Sequence, residues 1–207
     1  MPAIHERNPM PEWCELRRFS IVRHNPGEIA TFIASGDMKR VFIVGRGSVT
    51  IDGLEQEFGE GAIIPGETAE VVMLFGPEGA TVIHMTGTWG EDCGGFGLFG
   101  VREVADPHDG GDPVTYPKRT SFDHHFHDCD EYWIIFEGRG VAVSEGIVYQ
   151  VGPGDCVVTG MGHHHDFPDA SEPVRAVFFE TTMEGEKRRG HLWEHTHGPA
   201  APQADRV

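Results

Sequence analysis

The segment Ser121–Gly140 reads SFDHHFHDCDEYWIIFEGRG, with three histidines and four acids directly ahead of a run of large apolar residues. In an extended chain, residues two apart project to the same side, so His125 and His127 present two imidazoles together. Glu131 follows four positions later, close enough to add a carboxylate oxygen. A further imidazole has to come from elsewhere, and GMGHHHDF offers His163, His164 and His165. Imidazoles plus one carboxylate form a mixed N/O set that suits one divalent transition metal ion, Fe, Mn, Ni, Co or Zn, and disfavours Ca.

The surroundings are those of a β protein. KRVFIVGRGSVTIDG, AEVVMLF, ATVIHMTG, EYWIIFEGRGVAVSEGIVYQV and PVRAVFFETT are rich in β-branched and aromatic residues and end in Gly, Pro or Asp turns. Gly (28) and Pro (14) fit many short strands joined by tight turns. Helical periodicity is weak everywhere, with a trace near Glu184 to Trp193, so the expected class is an all-β barrel or sandwich. A repeat sharpens this: VFIVGRGSVTIDG and WIIFEGRGVAVSEG share an apolar run, G-R-G, a short strand and a turn glycine, and both continue into a Gly-rich turn and a second apolar strand. The halves meet in the glycine- and acid-rich region Gly87 to Pro113, within which FGLFGVREV reads as a strand passing between them.

The spacing His125-x-His127-x3-Glu131-x6-Gly138 resembles the first motif of the cupin superfamily, and GPGDCVVTGMGHHH resembles the second. Gly160 stands where that family usually has proline, and counting from Gly162 makes His165 the fourth ligand. Aligning Gly45 with Gly138 puts Phe32, Ala34 and Met38 where His125, His127 and Glu131 stand, so the first copy is similar to the same barrel without its metal site. The resemblance covers Leu16 to Thr182 and implies a bicupin: two jelly-roll-like cupin β-barrels in tandem. The expected divisions are 15–90 for the ligand-free barrel, 91–112 for a Gly-rich connection, 113–185 for the metal-binding barrel and 186–207 for a cap and mobile tail.

Carrying the parity of the histidines backward points Arg119 and Ser121 inward, and carrying it forward from Glu131 points Trp133 and Ile135 inward. Arg119 would suit a carboxylate, phosphate or polyol, and Trp133 would stack on a ring. Of Phe179 and Glu180, only one can face the lumen. Asp123, Asp128 and Asp130 carry no assigned role beyond that one of them could orient an imidazole, and Cys129 reads as a buried thiol. KRRGHLWEHTHG reads as a cap anchored by Leu192 and Trp193 rather than as a second metal site.

The balance of 16 Lys+Arg against 33 Asp+Glu, a formal charge of −17, argues against nucleic acid and anionic membranes as partners. The start MPAIHERNPMPEWCELRRF has no apolar leader region, no apolar run approaches a membrane span, and the four cysteines form no CxxC pair. A cytoplasmic homodimer acting on a small molecule is the resulting expectation. An ion with four protein ligands keeps two open positions, which serve either isomerase, epimerase or lyase chemistry on a sugar or hydroxy acid, or Fe(II)-dependent dioxygenase chemistry. A non-catalytic small-molecule-binding cupin is the third expectation.

Overall fold

The computed structural model describes residues 3–183, 185 and 187–206. The chain divides into two compact units, Pro9–Trp89 and Gly90–Val207 together with Met1–Asn8. Strands, numbered along the chain, are β1 (Ala3–His5), β2 (Leu16–His24), β3 (Ile29–Ile33), β4 (Lys39–Ile51), β5 (Glu57–Gly59), β6 (Ile63–Pro65), β7 (Glu70–Gly87), β8 (Cys93–Val101), β9 (Glu131–Ser144), β10 (Ile147–Val151), β11 (Asp155–Thr159) and β12 (His165–Thr182). All pairing among them is antiparallel. No helix is long and apolar enough to cross a membrane among the described residues.

In the first unit the long strand β7 pairs with β4 along one edge, and with β2 and then β3 along the other. The second unit repeats this plan: β12 pairs with β9 along one edge and with β8 along the other, while β10 and β11 pair with β9 as β5 and β6 pair with β4. Alternation supplies the cores. Phe42, Val44, Val49, Val71, Met73 and Val82 pack inside the first unit, and Trp133, Ile135, Val157, Phe167 and Ala176 inside the second. This is the all-β, tandem cupin-type architecture expected from the sequence.

The G-R-G sequences are not turns. β4 runs through Gly45–Gly47 and β9 through Gly138–Gly140, each with register irregularities in its pairing to β7 or β12. Gly138 has φ of 77°, and a Cβ there would lie 2.0 Å from the Pro173 carbonyl oxygen. The glycine lets the strand bulge and bend against its neighbour, so one long strand can serve two sides of a barrel.

Three expectations need correction. The stretch 91–112 is not simply a connection, because Cys93–Val101 is β8, an edge strand of the second unit whose Leu98 and Phe96 stand opposite Val177 and Phe179 of β12. The helical trace is displaced: the only helical turn among the described residues is Glu194–His197, and Glu184 and Glu186 lie outside them. Residues 199–206 are held rather than mobile, with Gln203 N–H donating to the Met161 carbonyl at 3.1 Å and Arg206 paired to buried Asp130. Their docking is polar, which is why low apolar content misrepresented it.

The inside of the first unit is filled where the second carries its histidines. Arg40 is 5% exposed and donates to the carbonyls of Phe32, Gly66 and Thr68. His84 stacks on Phe42 at 4.6 Å between centroids and meets the edge of Phe32 at 5.3 Å. Its Nε2 is buried without a hydrogen-bond partner. Burial, reinforced by the Arg40 charge, pulls the His84 imidazole down to about 4. Between about pH 6.5 and 4 the unfolded chain therefore binds a proton at His84 that the folded chain refuses, so stability falls as pH falls. In chemical denaturation, this residue should contribute a slope of at most about 1.4 kcal/mol per pH unit in that window, and His84→Phe should flatten it relative to the parent.

Candidate metal centre

His125, Phe126 and His127 form a short extended stretch rather than a full strand. His125 exchanges two backbone hydrogen bonds with His165 (3.2 and 2.9 Å), and Phe126 exchanges two with Leu192 (3.0 Å each). The alternation therefore survives locally, and both imidazoles turn to the inside. Glu131 opens β9 and His165 opens β12. His125, His127, Glu131 and His165 are 0, 2, 4 and 1% exposed.

The separations are those of ligands around one ion. His125 Nε2 lies 3.1 Å from His127 Nε2 and 3.0 Å from His165 Nε2. Glu131 Oε2 lies 2.9 Å from His165 Nε2 and 3.4 Å from His127 Nε2. Two donors at right angles on an ion with bonds of about 2.1 Å stand about 3.0 Å apart. Hydrogen bonding does not account for the cluster. Nδ1 of His125 faces the Asp123 carbonyl at 2.8 Å and Nδ1 of His165 faces the His163 carbonyl at 2.9 Å. A carbonyl only accepts, so each Nδ1 carries the proton, and the facing Nε2 atoms confront one another with lone pairs. Glu131 Oε2 is buried with no properly oriented donor. Converging lone pairs and a carboxylate, all buried, call for a cation, and the residues fit a divalent metal ion. The titration directions express the same demand: burial opposes ionisation of Glu131, yet His127 and His165 outweigh it and hold the carboxyl well below its usual range. Burial likewise opposes protonation of His127, but Glu131 outweighs it and pushes that imidazole up.

Among the described residues, every group of three or more His, Cys, Asp or Glu side chains close enough to share an ion lies in the second unit. Of the HHH run, His165 turns to this centre. His163 Nε2 donates to the Gln203 carbonyl at 2.9 Å, and His164 Nε2 meets Asp112 Oδ2 at 3.1 Å while its ring stacks with His124.

A cavity of about 130 Å³ adjoins Glu131. Phe99, Phe122, Trp133 and Phe178 form its apolar wall, with the Trp133 ring meeting His165 edge-on at 5.1 Å. Glu180 and His191 are its other polar members. Glu180 stands opposite Glu131 across the β9–β12 pair, whereas Phe179 faces away and stacks on Phe96. Gly94 makes room for it, since a Cβ there would lie 2.5 Å from a Glu180 carboxylate oxygen. Burial pushes the Glu180 carboxyl up.

Arg119 is not in this cavity. Its side chain is 67% exposed and pairs with Glu103 at 3.2 Å and Asp169 at 3.9 Å. The parity that placed it inside assumes a strand, but 117–124 is irregular, and Arg119 N–H is turned to the Pro168 carbonyl. Ser121 likewise faces a loop, accepting from the His108 N–H, while Ile135 is core. His191 was missed as a cavity residue: it stacks on His125 at 3.7 Å and 7°, and its Nδ1 donates to Asp123 Oδ2 at 2.8 Å. Trp193 Nε1 donates to the same oxygen at 3.0 Å. The one sequence signal was its position beside the apolar anchor Leu192. The neighbouring acids also acquire roles, Asp128 holding Arg188 through both oxygens and Asp130 holding Arg206. Cys129 is buried, and burial followed by the nearby carboxylates pushes its thiol up.

No family model matches the chain. The uncharacterized protein y4oW of Sinorhizobium fredii is 42% identical over 211 residues, spanning 100% of this chain and 97% of that protein. The chain belongs to the y4oW family. Solved structures share its fold at much lower identity. A variant of oxalate decarboxylase from Bacillus subtilis matches at TM-score 0.55 and 10% identity over 90% of this chain and 74% of the other. An IolB-like protein from Salmonella typhimurium matches at TM-score 0.55 and 11% identity over 95% and 93%. AerE from Microcystis aeruginosa matches at TM-score 0.53 and 8% identity over 81% and 91%. The y4oW-family chain thus has a cupin fold with a cluster suited to a divalent metal.

Replacing His127 by Ala should abolish stoichiometric metal uptake while leaving the fold cooperative, whereas Arg119→Ala should leave metal content unchanged. Elemental analysis of both variants, purified without chelators, checks this; full occupancy in the His127 variant would show that the ligands lie elsewhere.

Proposed function

We propose that the protein is a metal-dependent enzyme in which His125, His127, Glu131 and His165 hold one divalent transition ion, and that it isomerises or epimerises a small hydroxy acid or hydroxy-carbonyl compound. The observation that carries this reading is the pair of proton-carrying side chains, Glu180 and His191, on the wall of the cavity beside the ligand set. A divalent ion held by these four residues would supply Lewis acidity, acidifying the C–H beside a substrate carbonyl. Glu180 and His191 then take and return protons at the substrate carbon and oxygen, with Asp123 fixing the ring of His191 through Nδ1.

The dimensions restrict the substrate. A cavity near 130 Å³ is well below the roughly 300–1,000 Å³ of sites for drug-sized ligands, so the substrate has a few carbons. With Arg119 outside, the residues named for the wall include no fixed cation for a phosphate, and Trp133 with its three phenylalanines packs against an unsubstituted face. A second reading has its own support: the aromatic wall of Phe99, Phe122, Trp133 and Phe178 gives one side of the cavity an apolar surface suited to O₂, as an Fe(II)-dependent dioxygenase requires. A non-catalytic binding module predicts ligand-induced stabilisation without consumption.

Protein reconstituted with Mn(II) or Zn(II) should, under anaerobic conditions, exchange deuterium from D₂O into the carbon beside the carbonyl of its substrate, in a screen of short hydroxy acids and hydroxy-carbonyl compounds followed by NMR. Glu180→Gln should slow that exchange by about 10²- to 10⁴-fold at unchanged metal content. Strict dependence on Fe(II) and O₂ would transfer the assignment to the dioxygenase reading.

A further inference from the structure

Position 160 departs from the resembled motif, with glycine in place of proline, and the fold shows what uses the space. A Cβ on Gly160 would lie 2.5 Å from the carbonyl oxygen of Arg206. Gly162, at φ of 76°, would place a Cβ 2.5 Å from the carbonyl oxygen of Ala201. The segment 199–206 thus packs directly on the loop that leads into His165, and both glycines are required by that contact.

Polar contacts fasten the two together. Gln203 N–H donates to the Met161 carbonyl at 3.1 Å, and the Gln203 carbonyl accepts from His163 Nε2 at 2.9 Å. Arg206 Nη1 reaches both oxygens of Asp130, at 2.7 and 2.8 Å, and Asp130 Oδ1 also accepts the Met161 N–H at 2.8 Å. Asp130 is 1% exposed and immediately precedes Glu131; the His163 carbonyl accepts from Nδ1 of His165 at 2.9 Å. Two short chains of contact therefore run from this segment to two of the four ligands: Gln203 to His163 to His165, and Arg206 to Asp130 to the start of β9 at Glu131.

We infer that residues 199–206 are a positioning element of the metal centre, with Arg206 and Gln203 setting Glu131 and His165 at ligand distance. The inference rests on the metal reading above. It gives the glycine at 160 a purpose: the loop is stiffened from outside by a docked segment where a proline would stiffen it from within.

The test compares the full chain, a chain lacking 199–207, Arg206→Ala and Arg206→Lys, each stripped with chelator and titrated with Co(II). Affinity is read by chelator competition, ligand geometry by the visible d–d absorption, and folding by thermal unfolding of the stripped proteins. The full chain should take one Co(II). Removal of the segment and Arg206→Ala should weaken binding by about 10- to 100-fold and alter the absorption band while the stripped proteins still unfold cooperatively. Arg206→Lys should restore most of the affinity, because a single nitrogen makes both contacts to Asp130. Unchanged affinity and absorption in the shortened chain overturn the inference, as does a lysine variant no better than alanine. If the shortened chain does not fold, the alanine and lysine variants decide on the same readings. Failure of the full chain to bind Co(II) sinks the metal reading itself, and the inference with it.

Discussion

The two backbone hydrogen bonds between His125 and His165 are the joint on which the site depends. They clamp segments 40 residues apart so that two imidazoles, already fixed in tautomer by the carbonyls of Asp123 and His163, face each other with unprotonated nitrogens. Once that pair is made, the strands before and after it determine the rest. His127 follows by alternation, and Glu131 enters as the first residue of β9. Burial then makes the arrangement costly without positive charge, since a carboxylate and the two facing lone pairs of His125 and His165 are buried together.

The first unit shows the alternative solution on the same strand plan. Phe32 pairs with β7 at a place comparable to that of His125 against β12, and the interior closes with stacked rings and the Arg40 guanidinium bonded to three carbonyls. One barrel therefore fills its interior with its own rings and a bonded guanidinium, and the other brings together His125, His127, Glu131 and His165, a set suited to a cation. The strand plan accommodates both; the difference lies in a few positions, Phe32, Arg40 and His84 in one unit and His125, His127, Glu131 and His165 in the other.

Legibility in the sequence followed the range of the interactions. The strands, the repeat and the grouping of His125, His127, Glu131 and His165 were readable because alternation and short spacings are local properties. Arg119 was misplaced because alternation was extended through 117–124, where the backbone bonds of loops replace those of a strand. FGLFGVREV read as a strand, but one passing between the halves, because Gly94, Gly95 and Gly97 look like turn residues; in β8 Gly94 and Gly97 lie beneath Glu180 and Phe178, at the edge of the second unit's sheet. His191 and residues 199–206 were beyond reach for a different reason. They dock through hydrogen bonds and ring contacts to partners far along the chain, which leave neither periodicity nor apolar clustering behind.

Those β8 glycines separate two properties that many sites tie together. Glu180 and Phe178, which shape the cavity, rest on bare backbone at Gly94 and Gly97, whereas the four side chains suited to an ion come from β9, β12 and the His125 segment. A methyl group added to β8 at Gly94 or Gly97 would press on the carboxyl or the ring, and none of its nearest atoms belongs to His125, His127, Glu131 or His165. Bulk on β8 would thus reshape the cavity wall, Glu180 included, from a strand that contributes none of His125, His127, Glu131 and His165.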